Sequence, residues 1–122
     1  MAPRTFANQI ARGSHPPYLF PSVCFSCRKS FKRPRSQAAL ACPQCRGALV
    51  QLSRKFSAPK MRDLAQWKKV QLLVAAGFHF QSLYAVGEHG QRFQVRYPRN
   101  PTEVPAFVEQ YSHLLLRPRV QP

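Results

Sequence analysis

Residues 23–53 read VCFSCRKSFKRPRSQAALACPQCRGALVQLS, and this stretch decides the fold because it contains all four cysteines of the chain. Cys24 and Cys27 form one Cys-x-x-Cys pair, and Cys42 and Cys45 form another after fourteen intervening residues. Two residues between cysteines allow a tight turn to direct both sulfurs at one point, and four thiolates complete a tetrahedron around Zn²⁺. The spacing therefore predicts one structural zinc ion bound by the four cysteines.

Other uses of the thiols are two disulfides, a redox dithiol or an iron–sulfur site. The first 22 residues lack the apolar core of a secretory signal, so we expect a reducing, cytoplasmic location that favours a metal site over disulfides. A thioredoxin-like dithiol belongs beside a parallel strand–helix–strand unit, which neither pair has. Catalytic zinc needs an open coordination position, whereas four cysteines close the shell.

Short strands are predicted around the cysteine pairs. We expect strands over 30–32 and 37–41, joined by a turn at 33–36, and a third strand over 48–52. This pattern is typical of a zinc ribbon. The turn would lie at the zinc end of the ribbon and would present Lys32, Arg33 and Arg35 as an exposed cationic tip.

The C-terminal half shows a helical pattern followed by alternation. Leu64, Trp67 and Val70 recur at helical spacing, with Asp63 as the expected cap and Gly77 as the expected end. Alternating residues predict strands over 78–86 and 92–97 around a turn at 87–91. A last helix is expected to begin near Thr102, with Pro105 in its first turn.

The expected fold is therefore a small α+β protein, with a zinc ribbon of short antiparallel strands followed by a helix, a β-hairpin and a helix. The predicted divisions are a flexible tail (1–22), a zinc-ribbon domain (23–53), a basic connector (54–62), a helix–hairpin–helix unit (63–116) and a second tail (117–122). An organelle transit peptide is the alternative interpretation of the acid-free start of the chain.

Charge indicates the class of partner. The chain has 19 Lys and Arg against 4 Asp and Glu, a formal charge of +15 and a pI near 10.9. Such a surface favours a polyanionic partner, and nucleic acid is the commonest. Candidate nucleic-acid-binding residues lie in the ribbon and the connector: Arg28, Lys29, Lys32, Arg33, Arg35, Arg46, Arg54, Lys55, Lys60 and Arg62.

Three further runs carry a family resemblance: RKFSAPK at 54–60, QWKK at 66–69 and GF at 77–78. Together with the two cysteine turns, they make most of residues 23–111 similar to a group of small bacterial zinc-ribbon proteins. The resemblance implies a metal ribbon that continues into a helix, a hairpin and a helix. It implies no particular activity.

Enzyme motifs are missing from the sequence, which has no nucleophile elbow, Walker loop or His-Glu-x-x-His and only four acidic residues. We therefore expect a nonenzymatic nucleic-acid-binding protein without a membrane partner, and association with RNA or the ribosome is one candidate setting. RNA and DNA stay open, as does the oligomeric state. The alternative is a protein-interaction adaptor that docks a partner through Trp67, Tyr84, Phe93 and Tyr111. A thiol redox enzyme is the third hypothesis.

Overall fold

The computed structural model describes residues 18–115, so residues 1–17 of the predicted N-terminal tail (1–22) and the predicted C-terminal tail (117–122) lie outside the described part. Within that part the chain forms six strands and two helices. In chain order these are β1 Leu19–Cys24, β2 Lys29–Pro34, β3 Leu40–Ala41, β4 Ala48–Gln51, α1 Leu64–Ala75, β5 Tyr84–Val86, β6 Arg92–Gln94 and α2 Val104–Tyr111. The expected small α+β class, with an antiparallel sheet and two helices, is confirmed.

Two hairpins build the larger sheet, whose strand order is β2-β1-β4-β3. In the first hairpin, β1 pairs with β2 from Leu19 opposite Pro34 to Cys24 opposite Lys29. In the second, β3 and β4 pair at Ala41 and Ala48. An antiparallel contact between β1 and β4 joins the hairpins. Each Cys-x-x-Cys sequence is therefore the turn of one hairpin, and both turns lie at the same end of the sheet.

The predicted N-terminal tail extended too far, because residues 19–22 belong to β1 rather than to a flexible segment. Pro21 and Ser22 are fully buried, and the Pro21 carbonyl accepts a hydrogen bond from the Leu52 amide at 2.8 Å. Proline is disfavoured inside sheets, which hid this strand in the sequence. Here the missing N–H of Pro21 is tolerated because β4 ends at Gln51, which is opposite Ser22, so no residue of β4 pairs with Pro21.

The predicted hairpin over 30–32 and 37–41 is also wrong. Strand β2 runs on to Pro34 and pairs with β1, whereas β3 has only two residues and pairs with β4. Residues 35–39 instead connect the two hairpins. The Gln51 side chain holds this connection, because it accepts from the Ser36 amide at 3.0 Å and donates to the Pro34 carbonyl at 2.9 Å.

Helix α1 has both predicted caps. The Asp63 carboxylate accepts from the Gln66 amide at 3.3 Å. Gly77 follows the helix with φ of 99°, a left-handed conformation that glycine adopts without steric cost. The Phe78 amide then donates to the Leu73 carbonyl at 2.9 Å, which is the Schellman arrangement. Local sequence signals therefore determine this helix.

The predicted C-terminal hairpin is shorter than its alternating pattern indicated. Strands β5 and β6 have three residues each, and residues 78–83 are irregular. Phe80 has a φ of 66°, which bends the chain and ends the alternation. The last helix begins at Val104 rather than near Thr102, since Thr102 lies in a 3₁₀ turn over Pro101–Glu103.

Two apolar clusters connect the elements. Val23 and Leu52 of the sheet region pack with Trp67 and Val70 of α1 and with Phe56. A second cluster joins α1 to the hairpin region and α2, and its buried members are Leu73, Phe78, Leu83, Val95, Val104 and Phe107. The predicted connector therefore contributes a core residue, Phe56, between the sheet and the helix. Neither helix of the described residues has the length and apolar content to cross a bilayer.

Candidate metal centre

The four cysteine sulfurs meet at one end of the sheet, all within 4.8 Å of one another. Cys24 Sγ lies 3.6 Å from Cys45 Sγ, and Cys27 Sγ lies 3.9 Å from Cys42 Sγ. Each of these two distances is between a sulfur of the first turn and a sulfur of the second. Sulfurs bound at about 2.3 Å to one tetrahedral metal ion are about 3.8 Å apart, so the cluster has the dimensions of a metal site. All four cysteines are free of disulfides.

Backbone amides surround the sulfurs and favour their charged form. The Cys27 amide donates to Cys24 Sγ at 3.4 Å, and the Gln44 amide donates to Cys42 Sγ at 3.3 Å. Desolvation is the largest single influence on Cys42 and opposes its ionisation, but hydrogen bonds from the Cys45 and Gln44 amides and from the Cys45 and Cys24 side chains together lower the pKa of Cys42 to about 7. Burial and the neighbouring thiols raise the pKa of Cys27 to about 12. Ionisation of all four sulfurs at this spacing would therefore need a cation between them.

The two turns have the same backbone construction. The residue after the second cysteine is an arginine in the left-handed region, with φ of 55° at Arg28 and 67° at Arg46. Each arginine amide donates at 2.8 Å to the carbonyl of the first cysteine of its pair. Gly47 then allows close approach, because a Cβ there would lie 3.2 Å from Cys45 Sγ.

Substitution of Arg46 tests this conformation. A left-handed residue that carries a Cβ costs about 1–2 kcal/mol. Arg46 already bears this cost, and a β-branched side chain is least tolerated there. We therefore expect Arg46→Val to lower the free energy of unfolding by a further ~1 kcal/mol, within the range known for strained left-handed residues. Arg46→Gly should match or exceed the native stability in chemical denaturation of the metal-loaded protein. Equal stabilities for the valine and glycine variants would contradict the assigned backbone conformation.

The site is buried on one side only. Cys24 and Cys42 are buried, Cys27 is half-buried and Cys45 is exposed. Leu49 is the only other buried residue of this cluster in the described chain, with Phe31 and Leu40 partly buried beside it. The sulfurs therefore occupy the place that large apolar side chains fill in most cores.

The predicted basic residues fall into separate groups. The Arg28 Nε donates to the Met61 carbonyl at 2.8 Å, and Arg28 lines a shallow pocket with Lys60 and Arg62. The Lys29 Nζ donates to the Gln44 side chain and so connects the two cysteine turns. Arg46 is exposed beside the second turn. Arg28, Lys29 and Arg46 thus lie beside the cysteine turns, and Lys60 and Arg62 share a pocket with Arg28.

The predicted tip of Lys32, Arg33 and Arg35 does not exist as a turn at the zinc end. Lys32 and Arg33 lie within β2, where successive side chains alternate between faces, and Arg33 lies over the Phe31 ring at 5.6 Å. Arg35 follows the opposite end of β2, about 16–20 Å along the strand from the cysteine turn. The reason is the strand pairing, since the cysteines themselves form the hairpin turns.

Arg35 instead meets Arg54 and Lys55 in an open groove that also contains Tyr18 and Phe20. The sequence predicted all three cations as candidate binding residues, but it placed Arg35 in the tip and Arg54 and Lys55 in the connector. It missed the two aromatic residues because both fall within the predicted tail. The available signal was their spacing, because residues two apart on an extended strand lie on the same face.

Comparison with protein-family models, with curated proteins and with solved structures finds no match to this chain. The resemblance to small bacterial zinc-ribbon proteins therefore stays a prediction.

Proposed function

We propose that this chain is a nonenzymatic zinc-ribbon protein of the cytoplasm that binds nucleic acid, either RNA or DNA, with the ribosome as one setting for such a surface. The observation that carries the proposal is the joint placement of a four-cysteine cluster and exposed cations on one acid-free segment. The first acidic residue of the chain is Asp63.

Zinc is the metal that the ligand set favours. A closed shell of four cysteine thiolates is typical of structural zinc sites, and it leaves no position for a substrate. Such a centre carries a formal charge of about −2, and Arg28, Lys29 and Arg46 lie next to the cysteine turns to offset it. Two hairpins that each end in a cysteine turn support the zinc-ribbon assignment.

Nucleic acid is the partner that the charge distribution favours. Lysines and arginines that serve only solubility are interspersed with acids, whereas residues 18–62 contain none. Of the ten candidate cations, Lys32, Arg35, Arg46, Arg54, Lys55, Lys60 and Arg62 are exposed. Phosphate contacts of this kind provide affinity with little sequence specificity.

Salt dependence of binding is the test of this function. Removal of one cation that neutralises a phosphate lowers the slope of log K against log salt by about 0.7 on single strands. We expect the triple variant Lys32→Gln, Lys60→Gln, Arg62→Gln to lower that slope by about 2 in fluorescence anisotropy titrations with labelled oligonucleotides. The native protein should also co-purify with nucleic acid at low salt and lose it after nuclease treatment.

A matched control has the same net charge as this triple variant. The variant Lys68→Gln, Arg92→Gln, Arg99→Gln also removes three exposed cations, but from α1 and the C-terminal half. It should retain the native slope within about 0.5, less than the effect of one neutralised phosphate. If both variants change the slope equally, binding depends on net charge alone and the assigned surface is wrong.

The adaptor function is the second candidate, and exposed apolar residues on the small hairpin favour it. Tyr84, Val86 and Phe93 are 47%, 68% and 44% exposed. Trp67 is buried and so is not free to anchor a partner as the sequence suggested, whereas half-buried Tyr111 lines a surface pocket with Tyr84 and Phe93. An adaptor should retain one protein partner after nuclease treatment and lose it in the variant Val86→Ser, Phe93→Ser.

A further inference from the structure

An open groove of about 840 Å³ lies at the end of the sheet away from the cysteines. Tyr18 and Phe20 contribute aromatic rings from the start of β1, and Arg35, Arg54 and Lys55 contribute charge from the ends of β2 and β4. The volume falls within the roughly 300–1,000 Å³ of ligand clefts. Aromatic rings and cations in one groove are the combination that binds nucleotides.

Each arginine of the groove lies over one of the two rings. The Arg54 guanidinium carbon is 3.8 Å from the centre of the Tyr18 ring, and the Arg35 carbon is 4.6 Å from that of Phe20. Both arginines are exposed, so the guanidinium face turned away from the ring stays accessible. Unpaired bases stack on guanidinium planes as well as on aromatic rings. The groove thus presents two stacking surfaces that are also cationic.

The groove continues along the surface. A neighbouring depression of about 490 Å³ shares Lys55 and Gln81 with it and adds Arg96 and Tyr97. The Lys55 Nζ donates to the Ser82 hydroxyl at 2.9 Å, which places the ammonium group at the junction. No acidic residue lines either depression among the described residues. The path is therefore positive along its length, as a polyphosphate backbone requires.

We propose that this groove is a binding site for unpaired nucleotides, with bases stacked on Arg35 and Arg54 and phosphates bound by Lys55 and Arg96. This inference rests on the proposed nucleic-acid function and adds the substrate class, a single strand rather than a duplex. A duplex keeps its base faces inside the helix, so it offers phosphates to the groove but nothing to stack.

Replacement of guanidinium by ammonium isolates stacking from charge. The variant Arg35→Lys, Arg54→Lys keeps the net charge but loses both planar groups. Anisotropy titrations would use labelled single-stranded RNA, single-stranded DNA and duplex DNA of one length at one salt concentration. We expect the native protein to prefer a single strand over the duplex by tenfold or more. The variant should lose roughly tenfold in single-strand affinity, as expected for weakened stacking, with unchanged duplex affinity and salt slope.

The matched control is Arg92→Lys, Arg99→Lys. Arg92 lies over the Tyr84 ring at 5.0 Å, so the control also breaks an arginine–tyrosine contact, but outside the groove. It should bind all three probes like the native protein. Tyr18→Leu is a second groove variant, and its ring is 62% exposed, so it tests stacking even if the double variant fails to fold.

Two results would overturn the inference and leave the proposed function intact: equal single-strand affinity in the groove variants and the native protein, or native binding of duplex as tight as of a single strand. If the native protein binds none of the three probes, the proposed function fails and the groove assignment fails with it. Binding to either RNA or DNA single strands, with the stated losses, supports the inference.

Discussion

Removal of the proposed zinc ion is expected to unfold the four-stranded sheet. The cluster around the sulfurs has Leu49 as its only buried side chain besides Cys24 and Cys42 in the described chain, and the sheet region adds only Val23 and Leu52 to the buried cluster on α1. This is too little apolar surface to hold short strands together. Binding of structural zinc supplies about 10–16 kcal/mol, which is comparable to the roughly 5–15 kcal/mol total stability of most domains. A strong chelator, or the substitution Cys42→Ser, should therefore abolish the sheet.

Trp67 fluorescence is the direct measurement, because it is the only tryptophan of the chain and its ring meets Phe25 of the first cysteine turn edge-on at 6.1 Å. We expect the emission to shift to longer wavelength on chelation and to return on addition of one Zn²⁺ per chain. Cobalt should give the absorption of a tetrahedral thiolate site.

Ser26→Ala is the matched control for the metal experiment, because Ser26 is exposed and lies between the cysteines of the first pair. This variant should keep its metal and its emission. A protein that loses its metal but keeps native emission and far-ultraviolet dichroism would show that the sheet is stable without the ion.

Truncation of Trp67 is expected to have the second largest effect. Its ring packs with Val23 and Leu52 from the sheet region and Val70 from its own helix, and its Nε1 donates to the Lys60 carbonyl at 3.1 Å. Removal of a buried large aromatic side chain costs about 3–5 kcal/mol. In a chain of this size Trp67→Ala should lower Tm by roughly 15 °C or more.

The same residue should also affect the metal. Because Trp67 packs against the strand that leads into Cys24, we expect Trp67→Ala to release zinc at a lower chelator concentration than the native protein. Leu64→Ala is the control, since Leu64 begins the same helix but is 61% exposed, and its cost should stay within about 0.5 kcal/mol. A Tm equal to that of Leu64→Ala would contradict the bridging role of Trp67.

Features set by neighbouring residues were predictable from the sequence. The meeting of the four cysteines follows from two short turns, and the ends of α1 follow from the Asp63 cap and Gly77. Strand pairing was not predictable in the same way. It depends on which strand, distant in the chain, pairs on both of its edges at the centre of the sheet. That strand is β1, and a proline such as Pro21 is unusual in a central strand.

Residues 78–83 show how tertiary packing overrides a local pattern. Their alternation indicated a strand, but Phe78 is buried against Phe107 of α2, with ring centres 5.1 Å apart, and Phe80 packs against Phe56 at 4.9 Å. The groove was hidden for a related reason. Its side chains come from residues 18, 20, 35, 51–55, 79 and 81, which only the folded chain brings together.

The strand order has a consequence for the sequence of events in folding. Each hairpin pairs residues close in the chain and can form quickly, whereas the β1–β4 contact joins Ser22 to Gln51 and must close a long loop. Each hairpin also carries two of the four thiolates. A metal ion captured by the first turn as the chain emerges would recruit the second turn, so ion capture is expected to set the rate at which the two hairpins join. Refolding should then speed up with zinc concentration until the first turn is saturated.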